Sequence, residues 1–213
     1  SVDNVNDILP AGDEGTVVLV ADGMGGGEAG DVASAVAVRA VADYVCNVMP
    51  WATSIAARQR SSMASGTLPG VRSGLQSALV SGDAEVRRVA LEGGGGTMGT
   101  TVTMAYILWP HVYVAHVGDS RCYLFRHNTL VQLTTDHTLA EKLRQKTNTP
   151  ISETSPWHHV LWNALGCAEN AALEPEVRRV LLRTNDVLLL CSDGLTKHVG
   201  DEAITEVLTS TSS

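Results

Sequence analysis

The sequence predicts an α+β fold in a single domain over residues 1–213. A run of β-branched and aliphatic residues at 17–20 is typical of a buried strand. Apolar residues then recur with helical spacing over 28–49 and again over 71–91. From Thr100 onward the apolar residues alternate or form continuous runs, which is typical of consecutive strands. The length is sufficient for a hydrophobic core without disulfides or a structural metal.

The two long helices are rich in small residues, which favours close packing against a sheet. Pro50 ends the first helical pattern. The segment Ser81-Gly82-Asp83 leaves open whether the second pattern is one continuous helix. Residues 51–70 are predicted to be mainly loop, and the four glycines at 93–96 a flexible connector.

The remaining elements are short and separated by turn residues. A first strand is expected within residues 1–10. Further strands are predicted at 100–108, 112–116, 121–126, 130–133, 176–182 and 186–191. Helices are predicted at 138–146 and from Glu202, and the Pro, Ser and Thr content of 147–156 predicts a mobile surface segment.

Composition and charge exclude several functions. The net charge of −8 argues against nucleic-acid binding, because phosphate neutralisation requires clustered Lys and Arg. No apolar run approaches the roughly 20 residues that cross a bilayer, so no membrane segment is expected in this chain. The four cysteines lack metal-ligand spacing, and Cys122 and Cys191 lie in apolar runs. Buried thiols in a reducing, cytoplasmic compartment are therefore expected.

Asp22 follows the strand at 17–20 and precedes a glycine cluster. This position places a carboxylate at the end of a rigid element, beside the exposed carbonyl of Gly23. Oxygen ligands of this kind suit a hard cation such as Mg²⁺ or Mn²⁺. The alternative is a strand-to-helix turn in which Asp22 caps the helix.

Two more carboxylates share this local design. Asp22, Asp119 and Asp193 each follow an apolar strand, and each has a neighbouring glycine. Together they suggest a cluster of acids at one end of a sandwich, although Asp-Gly is also common turn chemistry. Clustered carboxylates repel one another unless cations neutralise them. Two metal ions about 3.5–4 Å apart use such a cluster to activate water for phosphoryl transfer.

Six segments then resemble, in order, the motifs of the metal-dependent protein serine/threonine phosphatases (PPM, type 2C) in their bacterial form. They are Val-Ala-Asp-Gly-Met-Gly-Gly-Gly at 20–27, Met-Gly-Thr-Thr-Val at 98–102, Val-Gly-Asp-Ser-Arg at 117–121, Leu-Thr-Thr-Asp-His-Thr at 133–138, Ala-Leu-Gly at 164–166 and Cys-Ser-Asp-Gly-Leu at 191–195. The matches span nearly the whole chain at the expected spacings.

The resemblance implies a β-sandwich of two antiparallel sheets with helices on both faces. It implies that Asp22 bridges two Mn²⁺ or Mg²⁺ ions, that Gly23 lends its carbonyl to one, and that Asp193 binds the other. Asp119 would help to hold a third, weaker ion. A metal-bridged hydroxide would attack phosphorus directly, with Asp22 and Asp193 as the catalytic residues. Asp136 and His137 would support the site, and a mobile flap would lie around 139–157.

The chain departs from the family pattern at both ends. Members begin with an Arg that holds the substrate phosphate and an acid that supports the metals. Asp7 best matches this acid, with Asp3 as the alternative, while Val2 stands in place of the Arg. The family also closes with an Asp-Asn pair on a last strand, and the sequence to Ser213 contains no such strand. We expect the fold to lack its closing strand.

Two function classes follow from these observations. The first is a phosphatase acting on phosphoserine and phosphothreonine in proteins, with a serine/threonine kinase as a candidate partner and a monomeric state. The second is a non-catalytic, phosphatase-like binding or regulatory module that has lost metal ligands. The intact set of Asp22, Asp119 and Asp193 favours the enzyme, and the absent Arg and closing Asp favour the module.

Overall fold

The computed structural model describes residues 15–26, 28–49, 69–94, 98–152, 154–167 and 172–211. The expected first strand, the site candidate Asp7 and most of the predicted loop at 51–70 lie outside these residues. The extent of the domain and the missing closing strand therefore stay predictions. Within the described part of the chain, no helix is both long and apolar enough to span a membrane.

Two antiparallel sheets form the centre of the molecule. The larger has four strands in the order β1-β4-β5-β8, and the smaller has three in the order β7-β6-β9. A two-stranded ladder, β2-β3, stands apart from both. The strands are β1 Thr16–Val20, β2 Gly23–Met24, β3 Gly99–Thr100, β4 Val102–Leu108, β5 His111–Val117, β6 Arg121–Arg126, β7 Thr129–Gln132, β8 Glu176–Leu181 and β9 Val187–Cys191.

Helices cover the outer faces of both sheets, as the sequence predicts. Helix α1 contacts β1, α2 contacts β5 and β8, and these two helices pack against each other. On the other side, α4 contacts β9 and α5 contacts β7. The helices are α1 Glu28–Asp43, α2 Pro69–Glu92, α3 Leu139–Thr147, α4 Asp193–Thr196 and α5 Asp201–Thr211.

Helix α1 continues into a π-helical turn at Tyr44–Val48. Helix α2 runs without interruption through Ser81-Gly82-Asp83, which settles the question that the sequence left open. Gly82 lies where the helices meet, because a Cβ there would come within 2.8 Å of the Val41 side chain. The glycine therefore serves close packing and does not end the helix.

Side chains that point alternately to the two faces of the central strands form two hydrophobic layers. Val102, Met104 and Tyr106 of β4 face the core under α1 and α2. Ala105, between them in sequence, faces the second core together with Leu124 of β6. Successive side chains of a strand point to opposite faces, so β4 contributes to both layers. The second core joins the two sheets into a sandwich.

A contact between two glycines fixes the start of α1 against β2. A Cβ built on Gly23 would lie 1.9 Å from the carbonyl oxygen of Gly30. A Cβ on Gly30 would lie 2.9 Å from the carbonyl oxygen of Gly23. Only glycine allows this approach, so the glycines around Asp22 bring the helix directly against the strand end.

Substituting Gly23→Ala should therefore destabilise the protein by about 1–3 kcal/mol, because the helix and the strand must separate to admit the methyl group. Urea unfolding measures the difference. Gly26→Ala is the matched control: a Cβ there meets nothing within 4 Å. Equal unfolding free energies for the two variants would contradict the close contact.

Candidate active site

Asp22, Asp119 and Asp193 lie near one another, as their shared sequence context predicts. Asp22 follows β1 in the four-stranded sheet, Asp193 follows β9 in the three-stranded sheet, and Asp119 lies in the turn from β5 to β6. The Asp22 and Asp193 carboxylates lie close enough for the charge of Asp193 to act on Asp22. The charge of Asp193 also acts on Asp119. The three carboxylates therefore form one cluster.

The electrostatics of this cluster disfavour full ionisation. Burial and the charge of the nearby Asp193 raise the pKa of Asp22. Burial and the charges of Asp193 and Asp136 raise the pKa of Asp119 to about 6. Like charges at short range favour proton uptake unless a cation is present.

One ammonium group faces the cluster. The Lys197 side chain makes an ion pair with Asp193, four residues earlier in the chain. Hydrogen bonding to Asp193 raises the pKa of Lys197, and the charges of Asp193, Asp119 and Asp22 add to this effect. Lys197 is not among the residues predicted from the sequence, although its four-residue spacing from Asp193 would place the two side chains on one face of a helical turn.

The donors in the cluster suit a hard divalent cation. Two adjacent carboxylates are compatible with Mg²⁺ or Mn²⁺, since Mg²⁺ is commonly held by one or two carboxylates and retains several waters. Among the described residues, no group of three His, Cys, Asp or Glu side chains could by itself hold a metal ion. Asp119 thus adds charge at longer range than the pair of Asp22 and Asp193.

Buried hydroxyls connect Asp22 to the turn that carries Asp119. The Asp22 amide donates to Thr101 Oγ1 at 3.1 Å, and Thr101 Oγ1 lies 2.7 Å from Ser120 Oγ. The Asp22 carbonyl accepts from the Thr101 amide at 2.9 Å and from Thr100 Oγ1 at 3.0 Å. These bonds join the end of β1 to the residue beside Asp119. They set the relative position of two of the acids.

The turn itself requires glycine. Gly118 has φ +113°, and a Cβ there would lie 2.5 Å from the Thr101 side chain. Its amide donates to His137 Nδ1 at 3.2 Å, and its carbonyl accepts from the His137 amide at 2.7 Å. His137 thus fixes the turn from the opposite side.

Asp136 is held by Arg121. The guanidinium donates from Nη2 to Asp136 Oδ2 at 2.7 Å and from Nε to Oδ1 at 3.0 Å. Arg121 also donates to the Tyr123 hydroxyl at 2.9 Å, which in turn donates to Asp201 Oδ1 at 3.0 Å. Asp136 and Asp201 therefore belong to a hydrogen-bonded framework beside the cluster.

His116 lies within the sandwich, fully buried. Its Nδ1 is 2.8 Å from Thr103 Oγ1, and its Nε2 is 3.1 Å from the carbonyl oxygen of Thr135. Thr103 Oγ1 also donates to the Ser120 carbonyl at 2.9 Å. His116 is therefore a hydrogen-bonded core residue.

A cavity of about 420 Å³ opens beside this framework, between α2 and α3. Asp136 and His137 line it together with Glu141, Lys142 and Trp162. The Lys142 ammonium stands 3.7 Å from the centre of the Trp162 ring. The segment predicted to form a flap begins at this cavity.

Comparison with known proteins gives one consistent result. The sequence model of the family described as Protein phosphatase 2C matches residues 17–143. The serine/threonine phosphatase stp of Listeria welshimeri is 35% identical over 202 residues, covering 93% of this chain and 73% of that protein.

Solved structures agree with the sequence relatives. The serine/threonine phosphatase PstP/Ppp of Mycobacterium tuberculosis superposes with a TM-score of 0.70 at 28% identity, covering 93% of this chain and 80% of that one. The catalytic domain of a serine/threonine protein phosphatase PstP in complex with two manganese ions gives a TM-score of 0.67 at 29% identity, covering 95% and 80%.

Thr101→Val should cost about 1–3 kcal/mol of unfolding free energy, because it leaves the Asp22 amide and the Ser120 hydroxyl without their buried partner. Thermal or urea unfolding measures the loss. Thr101→Ser keeps the hydroxyl and should recover most of it. A valine variant as stable as the serine variant would show that the hydroxyl bridge contributes nothing.

The buried imidazole of His116 should make stability fall below about pH 6.5. Burial and the charge of the nearby His137 lower the pKa of His116 to about 3. The unfolded chain therefore binds the proton first as the pH decreases. The loss reaches at most about 1.4 kcal/mol per pH unit for this group and ends near the folded pKa.

Urea unfolding at pH 7.5, 6.5 and 5.5 tests this dependence. The unfolding free energy of His116→Gln should decrease less steeply with falling pH than that of the unaltered protein, whereas His159→Gln, at an exposed position, should follow the unaltered curve. If His116→Gln follows the unaltered curve, the buried neutral imidazole is not the source of the dependence.

Proposed function

This chain belongs to the protein phosphatase 2C family, and we propose that it hydrolyses phosphoserine and phosphothreonine in proteins at the cluster of Asp22, Asp119 and Asp193. The observation that carries the proposal is the proximity of Asp22 and Asp193, which follow strands of the two different sheets and lie close enough for the charge of Asp193 to act on Asp22. Two carboxylates brought together at the ends of different sheets repel each other unless a cation neutralises them. An arrangement of this kind is expected where cations act.

The residues divide into ligands and supports. Asp22, Asp193 and the Gly23 carbonyl would hold the divalent ions, and Asp119 would supply the acid for a further, weaker ion. Asp7, outside the described residues, is proposed as an additional acid of the site. Bound there, Mn²⁺ or Mg²⁺ supplies an activated water for direct attack on phosphorus and positive charge for the phosphoryl oxygens.

The protein's own contribution is orientation. Thr101 and Ser120 fix the end of β1 against the turn that carries Asp119. Arg121 holds Asp136 beside that turn with two hydrogen bonds, so its guanidinium is committed to Asp136 and not to the three cluster acids. Rigid placement of the ligands is what a two-ion site requires, because small displacements weaken both the ion sites and the attack geometry.

Three of the four cysteines are poor candidates for a catalytic nucleophile. Burial raises the pKa of Cys122 to about 12, and burial also raises the pKa values of Cys167 and Cys191. A thiol with a raised pKa supplies little thiolate at neutral pH. These three thiols therefore support hydrolysis without a phosphocysteine intermediate.

The family membership also guides our proposals for the substrates, the partner, the oligomeric state and the location of the protein. We propose phosphorylated proteins as substrates, a serine/threonine kinase as the opposing enzyme, a monomeric state and one domain over residues 1–213. All four cysteines are free thiols, which supports a reducing, cytoplasmic location.

Hydrolysis of p-nitrophenyl phosphate and of a phosphothreonine peptide should depend on added Mn²⁺. Asp22→Asn and Asp193→Asn should each lower kcat/KM by about 100-fold or more, since each removes a charged ligand from the centre that activates water. Rates measured over a Mn²⁺ titration give the comparison.

Asp43→Asn is the matched control. Asp43 is exposed at the other end of α1, and an asparagine there can still accept the hydrogen bond from Asn47. Absence of Mn²⁺-dependent turnover in the unaltered chain would overturn the enzymatic proposal. Turnover that survives both site substitutions would overturn the assigned residues.

A further inference from the structure

Lys197 occupies an unusual place for a lysine on a protein surface. Its ammonium contacts Asp193, and the charges of Asp119 and Asp22 also act on it. Its side chain is 49% exposed, whereas the Asp193 side chain is 26% exposed. The lysine side chain therefore extends toward the carboxylate cluster from the surface, and about half of it stays in contact with solvent.

The other basic group beside the cluster is already committed. Arg121 forms its bidentate pair with Asp136 and a further bond to Tyr123. Lys197 is thus the basic side chain that the described structure brings to the three acids, one positive charge against three carboxylates.

We propose that Lys197 is a competing counter-cation, whose ammonium occupies Asp193 in the metal-free protein and must leave it before a divalent cation binds there. This inference rests on the function proposed above. It goes beyond that function by assigning Lys197 the control of metal affinity. Lys197 is a positioning residue in this role, since it acts on the ligand and not on the substrate.

The physical basis is competition for the same oxygens. A lysine ammonium is a compact charge on a flexible four-carbon stem, so it can leave the carboxylate without moving the backbone. A divalent ion carries twice its charge and prefers the same hard oxygen donors. Partial exposure weakens the Lys197–Asp193 pair by screening, so the lysine should reduce metal affinity without preventing binding.

Isothermal titration calorimetry, in which Mn²⁺ is added to the metal-free protein at low ionic strength, tests this role directly. Lys197→Met should lower the Kd for Mn²⁺ by about three- to tenfold, because it removes the competing charge and keeps the aliphatic stem. Lys197→Arg keeps the charge and should remain close to the unaltered protein. Raising the salt concentration should narrow the difference between Lys197→Met and the unaltered protein.

Lys146→Met is the matched control. It makes the same chemical change and the same change in net charge, at an exposed position of α3. Its Kd should equal that of the unaltered protein. If the Kd for Mn²⁺ is lowered equally in Lys197→Met and Lys146→Met, the higher affinity comes from the change in net charge and the proposal is overturned.

The remaining outcomes separate this inference from the proposed function. If the unaltered chain binds Mn²⁺ and Lys197→Met binds it equally or more weakly, the competing role is wrong and the metal centre stands. If the unaltered chain binds no Mn²⁺, both are overturned. Thermal unfolding of each variant shows whether an altered Kd comes from a disturbed fold, and Lys197→Gln provides a second neutral variant with the same expected direction.

Discussion

Repulsion among Asp22, Asp119 and Asp193 is the constraint on which the rest of the structure depends. The acids come from the end of one sheet, the end of the other and the turn that joins them. Their cluster therefore exists only while the two sheets are packed together. Ala105, Val114 and Leu124 lie in the core between the sheets, so hydrophobic burial holds together charges that would otherwise separate.

Hydrophobic packing brings the two sheets together, but it does not by itself fix the relative positions of the acidic side chains as precisely as a metal site requires. Thr101, Thr103 and Ser120 supply that precision with hydrogen bonds between the end of β1, the β4 strand and the turn after β5. All three are buried. Buried hydroxyls are costly without partners, so a network in which they are satisfied favours one arrangement strongly over its alternatives.

Much of this could be predicted from sequence because it is locally encoded. The alternation along 102–117 predicts the strands, and a carboxylate between an apolar run and a glycine predicts where Asp22 and Asp193 stand. Contacts such as Thr101 with Ser120 or Gly23 with Gly30 depend on which elements become neighbours, and local periodicity carries little of that information. Lys197 was not predicted as a site residue, because its spacing from Asp193 does not show that Asp22 and Asp119 lie nearby as well. Asp7 stays a prediction.

The described carboxylates separate into two kinds by their partners. Asp186 receives two bonds from the Arg126 guanidinium, and this pairing lowers its pKa. Asp22 and Asp119 instead have raised pKa values and face one partly exposed lysine that also serves Asp193. A carboxylate that serves only stability is expected to be neutralised by its own partner. Acids held together with too few cations keep a net negative charge that is not compensated within the protein. That uncompensated charge favours the binding of divalent ions at the site.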